Sequence, residues 1–302
     1  MTRISTNYQF QTNVSNMQKL NVSLNKSSYQ ISTGLKAQNF QDIATDVNEL
    51  LNLQDQGSLN KQYVKNIETA QSRLSSAESA VQGMVDLVID AANVWTLGRS
   101  ENTPETRASL APKAEGLAEA FYALFNTQYD GRYIFSGAAG NQPPVTSSAA
   151  ANTFPGNPAP TTYYNGDTQT MQLISGTGSV NNYGIAGDNQ AFADMKAGLE
   201  ALWFGLENNS ETDIDGAIDL LTSAQAGLSD ILGEIGGQKS ALTLVQERHE
   251  NTNAFLTERT DELEKVDVAA AMTKFNQELA SLEASMAVIT QLNGLSLIDF
   301  IR

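Results

Sequence analysis

The sequence contains no cysteine, a single histidine, and prolines in only one segment of the chain. Without cysteine it can form neither a disulfide framework nor a reactive thiolate. Because His249 is the only histidine and there is no cysteine, the usual His/Cys zinc clusters cannot be built either. We therefore expect no metal site and no cofactor.

Basic residues are also scarce, since 18 Lys and Arg stand against 34 Asp and Glu, for a net charge of -16. Binding to phosphate groups requires a basic surface, so the sequence predicts no nucleic-acid partner and no anionic membrane surface. No apolar run approaches the roughly 18 residues needed to span a bilayer. We therefore expect no membrane partner. The start, "MTRISTNYQFQTN", lacks a secretory signal pattern, so we expect any export to use another route.

Residues with catalytic potential have simpler structural explanations. His249 falls on an apolar heptad track, where a polar residue typically fixes helix register. The stretch "ETDIDGAID", residues 211–219, is similar to a calcium loop, but it lacks the ligands expected at Ala217 and Ala224. Acidic residues at a helix start, with Thr212 as N-cap, explain it better. We expect that the protein is not an enzyme.

The placement of proline divides the chain into two helical arms and an insert. All seven prolines lie between Pro104 and Pro160, so residues 1–103 and 161–302 lack the strongest helix breaker. Thr103 followed by Pro104 is typical of a helix start. Pro112 predicts a kink or a second helix start.

Each arm carries apolar residues at a spacing of seven. Such tracks are the seams of paired helices, and two arms of matched length predict an antiparallel rod. The left track is Leu53, Ile67, Leu74, Val81, Val88 and Trp95, and the right track is Leu221, Leu228, Ile235, Leu242, Leu256 and Leu263.

The segment between the arms has a different composition. From Tyr133 to Gly187 the only charged residue is Asp167, and turn-forming residues are common. Three segments, "RYIFSG", "TTYY" and "TMQLIS", predict strands of a small β insert. A disordered linker is the competing interpretation. The aromatic residues Phe154, Tyr163 and Tyr164 could alternatively form a ligand-binding face, although packing is the commoner role.

The two ends of the chain form a third region. Residues 1–41 contain four basic residues and no acid, whereas residues 267–302 contain four acids and two basic residues. Both ends carry helical apolar stripes, which predict helices that are disordered in the free chain and ordered on assembly. The residues predicted to form an assembly interface are Val14, Met17, Leu24, Ile31, Leu35, Phe275, Leu279, Leu282, Met286, Ile289, Leu295, Leu297, Ile298 and Phe300.

The predicted fold is therefore mainly α, a long antiparallel helical rod with terminal coiled-coil helices and a small β-rich insert. We expect terminal segments at residues 1–41 and 267–302, a rod at residues 42–140 and 188–266, and an insert at residues 141–187. Asn293-Gly294 predicts a turn, with the last residues forming a separate hook of chain.

Three motifs carry a resemblance to a known family. "ISTGLK" (residues 31–36), "YDGRYIFSG" (residues 129–137) and the closing "LSLIDFI" (residues 295–301) appear in this order on the heptad framework. In this arrangement the chain resembles the flagellin superfamily, and within it the flagellar hook-filament junction proteins.

The resemblance implies a structural component of the bacterial flagellum that acts as an adaptor between hook and filament. It implies type III export, a secreted location, and assembly as a homo-oligomeric ring or helical layer. The partners implied are flagellin, hook-associated proteins and an export chaperone that covers the apolar C-terminus.

Three other interpretations remain open at this point. A short flagellin shares the terminal stripes and the rod, and is distinguished by the growth of long homopolymers. A secreted adhesin or lectin would use the β insert to bind glycans. A type III needle-tip or translocator protein shares the helical ends but not "GRYIFSG".

Overall fold

The computed structural model describes residues 2–39, 46–100, 103–146 and 152–301. This part of the chain contains six helices and four short strands, which confirms the prediction of a mainly α fold with a small amount of β structure. Within the described residues, no helix combines the length and the apolar content that a transmembrane span requires. The elements are α1 Thr2–Thr33, α2 Val47–Ser100, α3 Pro104–Phe125, β1 Gln128–Tyr129, β2 Arg132–Tyr133, β3 Met171–Gly176, β4 Ser179–Tyr183, α4 Gln190–Asn208, α5 Glu211–Glu264 and α6 Val268–Ile301.

The chain divides into two compact units. The terminal unit consists of residues 1–59 and 252–302, and the central unit consists of residues 60–251. Helices α2 and α5 contribute residues to both. The three-part division expected from the sequence stays a prediction.

In the central unit, α2 and α5 run antiparallel. Gln71 donates to Thr243 over 3.2 Å, and Glu78 forms an ion pair with Lys239 at 2.6 Å. Partner numbers fall on one helix as they rise on the other, which confirms the predicted direction. Eight of the twelve predicted seam residues are at most 3% exposed: Ile67, Leu74, Val81 and Val88 on α2, and Leu221, Leu228, Ile235 and Leu242 on α5. The other four are less buried, with Leu256 6% exposed and Leu53, Trp95 and Leu263 half-buried.

Helices α3 and α4 pack together in the central unit and complete its core. The predicted start of α3 is confirmed, because the Thr103 hydroxyl accepts from the Thr106 amide and Pro104 occupies the first helical position. A second start at Pro112 is wrong, since α3 is a single helix from Pro104 to Phe125.

An aromatic cluster lies where α3, α4 and the chain after β2 meet. The ring centroid of Phe192 lies 4.8 Å from that of Phe125 and 5.3 Å from that of Phe135. All three side chains are fully buried. Aromatic residues bury large apolar areas and add favourable ring contacts, so this cluster anchors the β segments to the helices.

The strands form two antiparallel hairpins. The first, β1–β2, turns at Asp130 and Gly131, whose φ values of 52° and 72° suit a tight hairpin turn. The second pairs β3 with β4 and contains the predicted strand "TMQLIS". Only the first two residues of "RYIFSG" are strand.

The predicted strand "TTYY" is wrong, because these residues lie in a turn and the loop beside it. The Tyr163 hydroxyl donates to the Gly187 carbonyl, and the Tyr164 hydroxyl donates to the Phe135 carbonyl, each over 3.0 Å. Burial raises the pKa of Tyr164 to about 12. The two tyrosines thus satisfy loop carbonyls beside the aromatic cluster, a role that a strand propensity does not indicate.

His249 joins the second hairpin to the helices. Its Nε2 donates to the Ser175 carbonyl over 2.6 Å, and its Nδ1 lies 2.9 Å from Asn60 Oδ1. The side chain is only 8% exposed, and its ring stands 5.4 Å from that of Tyr63. This histidine therefore links α2, α5 and β3, which extends the register role predicted from its heptad position.

Residues 152–160 lie along α4 and α5 and are held there by buried carboxylates. The Phe154 amide donates to Asp213 over 2.7 Å, and the Ala159 amide donates to Asp194 over 2.9 Å. A third buried carboxylate, Glu200, accepts from the side chain of Asn152 at 2.8 Å. Charge-assisted hydrogen bonds are among the stronger ones. These three contacts therefore hold in place a segment that forms neither a helix nor a strand.

The stretch similar to a calcium loop thus supplies Asp213 for this contact. The prediction of Thr212 as N-cap is wrong. Helix α5 begins at Glu211, and Ser210 Oγ lies 3.4 Å from the Asp213 amide that it caps.

We predict that Phe192→Ala lowers the free energy of unfolding of the central unit by about 3–5 kcal/mol, because it leaves a cavity among close-packed rings. Urea unfolding followed by circular dichroism measures this loss. The matched control is Ile174→Ala, at a β3 side chain that is 59% exposed, which should change stability by less than about 0.5 kcal/mol. Equal losses in the two variants would contradict the assigned core.

Candidate assembly interface on the terminal helices

In the terminal unit, α1 and α6 pack against each other. The end of α1 lies beside the start of α6, since the Val266 amide donates to the Gly34 carbonyl over 2.8 Å. Further along, Ser23 and Ser27 of α1 contact Glu278 of α6. Residue numbers fall on α1 as they rise on α6, so the two helices are antiparallel.

The "ISTGLK" segment forms the joint of this pair. Gly34 ends α1 with a φ of 72°, a left-handed value that glycine adopts without the cost of a Cβ. The Lys36 amide then donates to the Glu264 carbonyl over 2.7 Å, and Leu35 forms a bridge with Lys265. Asp267 caps α6, accepting from the Ala269 amide at 2.9 Å. The turn therefore fixes where the two terminal helices begin to pair.

A polar contact sits in the middle of the α1–α6 interface. One carboxylate oxygen of Glu278 accepts from the Ser23 hydroxyl, and the other accepts from Ser27 over 3.1 Å. Ser27 is 1% exposed, and the Glu278 side chain is 13% exposed. The sequence analysis did not predict this contact, because it considered only the spacing of apolar residues. Two serines four apart in α1 were the available signal, because residues at that spacing share a helix face.

The apolar surface of α6 is wider than the face that α1 covers. The inner face lies against α1, with Ala271 5% and Leu282 8% exposed. The outer track comprises Met272, Leu279 and Met286, spaced by seven residues and 51%, 39% and 48% exposed. One helix can cover only one face of its partner, so this outer track has no cover within the described part of the terminal unit.

The predicted interface residues separate between these surfaces. Leu24 and Leu282 are buried within the pair, and Leu279 and Met286 lie on the outer track. The intermediate, half-buried positions are Val14, Met17, Ile31, Leu35, Phe275 and Ile289. Sequence spacing placed Leu279 and Met286 with the inner residues, because alternating steps of three and four do not show which side a partner covers.

Helix α1 also presents apolar side chains to solvent. Tyr8 is 73% exposed and Val22 is 70% exposed, and their spacing of fourteen residues places them on one face. Leu24 is the only apolar side chain of α1 that is buried among those described. The terminal pair thus leaves apolar surface on both of its helices, as interaction surfaces do.

The last turns of α6 differ from the expectation. The helix continues through Asn293-Gly294 to Ile301, so the predicted turn and separate hook are wrong. One Asn and one Gly cost about 1 kcal/mol or less each within a helix, which does not break a segment of strong helix formers. The remaining predicted residues, Leu295, Leu297, Ile298 and Phe300, lie in these turns, and their side chains fall outside the described residues.

Charged groups at this site serve structural roles. Arg259 contacts Glu262 at 2.7 Å and Glu49 at 3.1 Å, and hydrogen bonds to Glu262 and then Glu49 raise the pKa of the guanidinium. Among the described residues no group of three His, Cys, Asp or Glu side chains is placed to hold a metal ion. The geometry of the terminal unit supports helix packing.

Comparison with known families gives two matches. Residues 4–139 match the bacterial flagellin N-terminal helical region, and residues 214–301 match the bacterial flagellin C-terminal helical region. The two matches contain α1 and α6 and leave the β3–β4 hairpin between them unmatched.

Individual proteins are similar over nearly the whole chain. Flagellar hook-associated protein 3 of Escherichia coli is 25% identical over 321 aligned positions, covering 98% of this chain and 98% of that protein. The protein of the same name from Salmonella typhimurium is 24% identical over 326 positions, covering 99% and 100%.

Solved structures share the fold. A flagellar hook-associated protein structure from Vibrio parahaemolyticus superposes with a TM-score of 0.63 at 18% identity, covering 74% of this chain and all of that one. The crystal structure of Bacillus cereus FlgL gives a TM-score of 0.55 at 15% identity, covering 70% and 99%.

We predict that Ser27→Ala loosens α1 from α6, because the Glu278 carboxylate then loses a buried hydrogen bond at a cost of about 1–3 kcal/mol. Hydrogen exchange of the α1 amides between residues 14 and 33 measures the effect as faster exchange.

The control is Ser32→Ala, since the exposed Ser32 hydroxyl donates only to the Tyr29 carbonyl of its own helix. Its exchange should match that of the unchanged protein. If both variants exchange alike, the Ser27–Glu278 contact does not hold the pair.

Proposed function

The chain belongs to the flagellin superfamily, and from this premise we propose that it is the adaptor that joins hook to filament through its paired terminal helices. It is a secreted structural component of the bacterial flagellum. The supporting observation is the exposed outer track of Met272, Leu279 and Met286, which lies on α6 beside the face that α1 covers.

The geometry supports assembly by helix packing. Within one chain, α1 covers the inner face of α6 and leaves the outer track in water. Burying apolar surface contributes about 25 cal/mol per Å², so a second subunit that covers this track gains stability that the single chain lacks. A neighbouring copy of the same terminal pair is the simplest occupant, and repetition of that contact generates a ring or helical layer.

Neighbours of other kinds follow from the same surfaces. Hook-associated proteins on one side and flagellin on the other would present terminal helices of related sequence to the ends of the layer. An export chaperone would cover the apolar end of α6 before secretion by the type III route. The expectation from the sequence that the ends become ordered only on assembly stays a prediction.

The junction role is favoured over a filament role by the relatives. Both hook-associated proteins 3 align with this chain from end to end, with coverage of at least 98% on each side. A filament subunit would share the terminal regions without requiring this full-length agreement.

We predict that Leu279→Lys weakens incorporation, because a charge on the outer track would be buried against the neighbouring subunit. The assay measures how purified protein binds to hooks that are isolated from cells lacking this protein. The concentration for half-maximal binding should rise at least about tenfold. The control is Leu244→Lys, at an α5 side chain in the central unit that is 66% exposed, which should bind as the unchanged protein does.

If the Leu279→Lys variant bound hooks as the unchanged protein does, the outer track would not be part of the interface.

We also predict that the protein occupies one short zone of the flagellum. Electron microscopy of purified flagella, with a label attached to the exposed Val180 position of β4, locates it. A single band next to the hook is the expected result, because a layer that joins two polymers is found only where they meet. Continuous decoration along the filament would identify a filament subunit instead.

A further inference from the structure

Two of the three side chains on the outer track are methionines. Met272 and Met286 are 51% and 48% exposed, and they stand seven residues to either side of Leu279. Elsewhere in the described chain, Met84 and Met195 are fully buried in the core of the central unit. Among the described methionines, the thioethers most open to solvent therefore lie on the surface proposed for assembly.

Thioethers are the principal oxidisable sulfur groups of this protein, since it contains no cysteine. A hydroperoxide transfers one oxygen atom to the methionine sulfur as its O–O bond breaks. The sulfur loses two electrons, and the peroxide is reduced to water or an alcohol. The product, methionine sulfoxide, is polar where the original side chain was apolar, and methionine sulfoxide reductases reverse the change.

We propose that Met272 and Met286 are a reversible oxidation site that controls whether the free subunit can assemble. Hydroperoxide-class oxidants convert the outer track to a polar surface, and a neighbouring copy then has to bury sulfoxide oxygens without hydrogen-bond partners. Once a neighbour covers the track, the same sulfur atoms are shielded. This inference rests on the proposed function, because it requires the outer track to be an interface.

The first test maps oxidation in the free protein. Purified protein is treated with dilute hydrogen peroxide and its peptides are measured by mass spectrometry. Met272 and Met286 should gain one oxygen atom each before Met84 and Met195 do. Equal rates at all four positions would overturn the proposal, as would faster oxidation of the two buried ones.

The second test measures assembly on isolated hooks. After peroxide treatment, the unchanged protein should need at least about tenfold more protein for half-maximal binding, because polar oxygens lie in an apolar contact. Methionine sulfoxide reductases should restore binding. The double variant M272L/M286L keeps the apolar volume and should bind equally well before and after peroxide.

The control variant is M171L, which replaces a half-buried methionine of β3 in the central unit. It should lose binding after peroxide just as the unchanged protein does. The same loss in the M272L/M286L variant would overturn the assignment of the effect to these two residues.

Failure of this inference is distinguishable from failure of the proposed function. The untreated Leu279→Lys variant reports on the interface alone. If it binds hooks normally, the outer track is not the interface and both proposals fall. If it does not bind while peroxide leaves the unchanged protein active, only the oxidation site is lost.

Discussion

The arrangement of this protein depends on the fact that one helix covers one side of another. In the central unit, seam residues of α2 and α5 pack in one core with residues of α3 and α4, so that all of these seam residues except Trp95 are at most 3% exposed. In the terminal unit, α1 is the partner of α6, and it covers the face of Ala271 and Leu282 but not that of Leu279. This uncovered apolar surface is the basis of the assembly role proposed for the terminal helices.

The α1–α6 interface is also specified by polar contacts. Ser27 and Glu278 contribute a buried hydrogen bond at a position where a leucine pair would have contributed more burial. Polar groups within a helical seam fix alignment at some cost in stability. Together with the Gly34 turn, they set the register of the pair, and this determines which side of α6 is left for a neighbour.

Much of the central unit could be predicted from the sequence. The heptad tracks around Leu74 and Leu228 reported burial correctly because a helix repeats its faces with fixed geometry. Thr103 and Pro104 located a helix start for a similarly local reason. The buried carboxylates Asp194 and Asp213 could not be predicted, since their partners are backbone amides of a segment about 35 to 59 residues away in sequence.

Predictions at the terminal helices failed where local signals competed with their surroundings. Asn293-Gly294 is a turn signal in isolation, yet helix formers on both sides carry α6 through it. The stripe from Phe275 to Ile289 was visible in the sequence, but its division into an inner and an outer face depends on where α1 lies. Spacing shows which residues share a side of a helix, and only packing shows which of those sides a partner covers.

A helix pair that is completed by another subunit has a stability that depends on concentration. Binding to the folded state stabilises it in proportion to the logarithm of the partner's concentration. Under the proposed function, the partner of the terminal unit is supplied at the growing end of the structure, where neighbouring helices are fixed in place and their effective concentration is high. The outer track of α6 is exposed in the single chain, and under the proposed function it is buried only where a neighbouring subunit covers it. This difference in burial would give the proposed assembly both its driving force and its location.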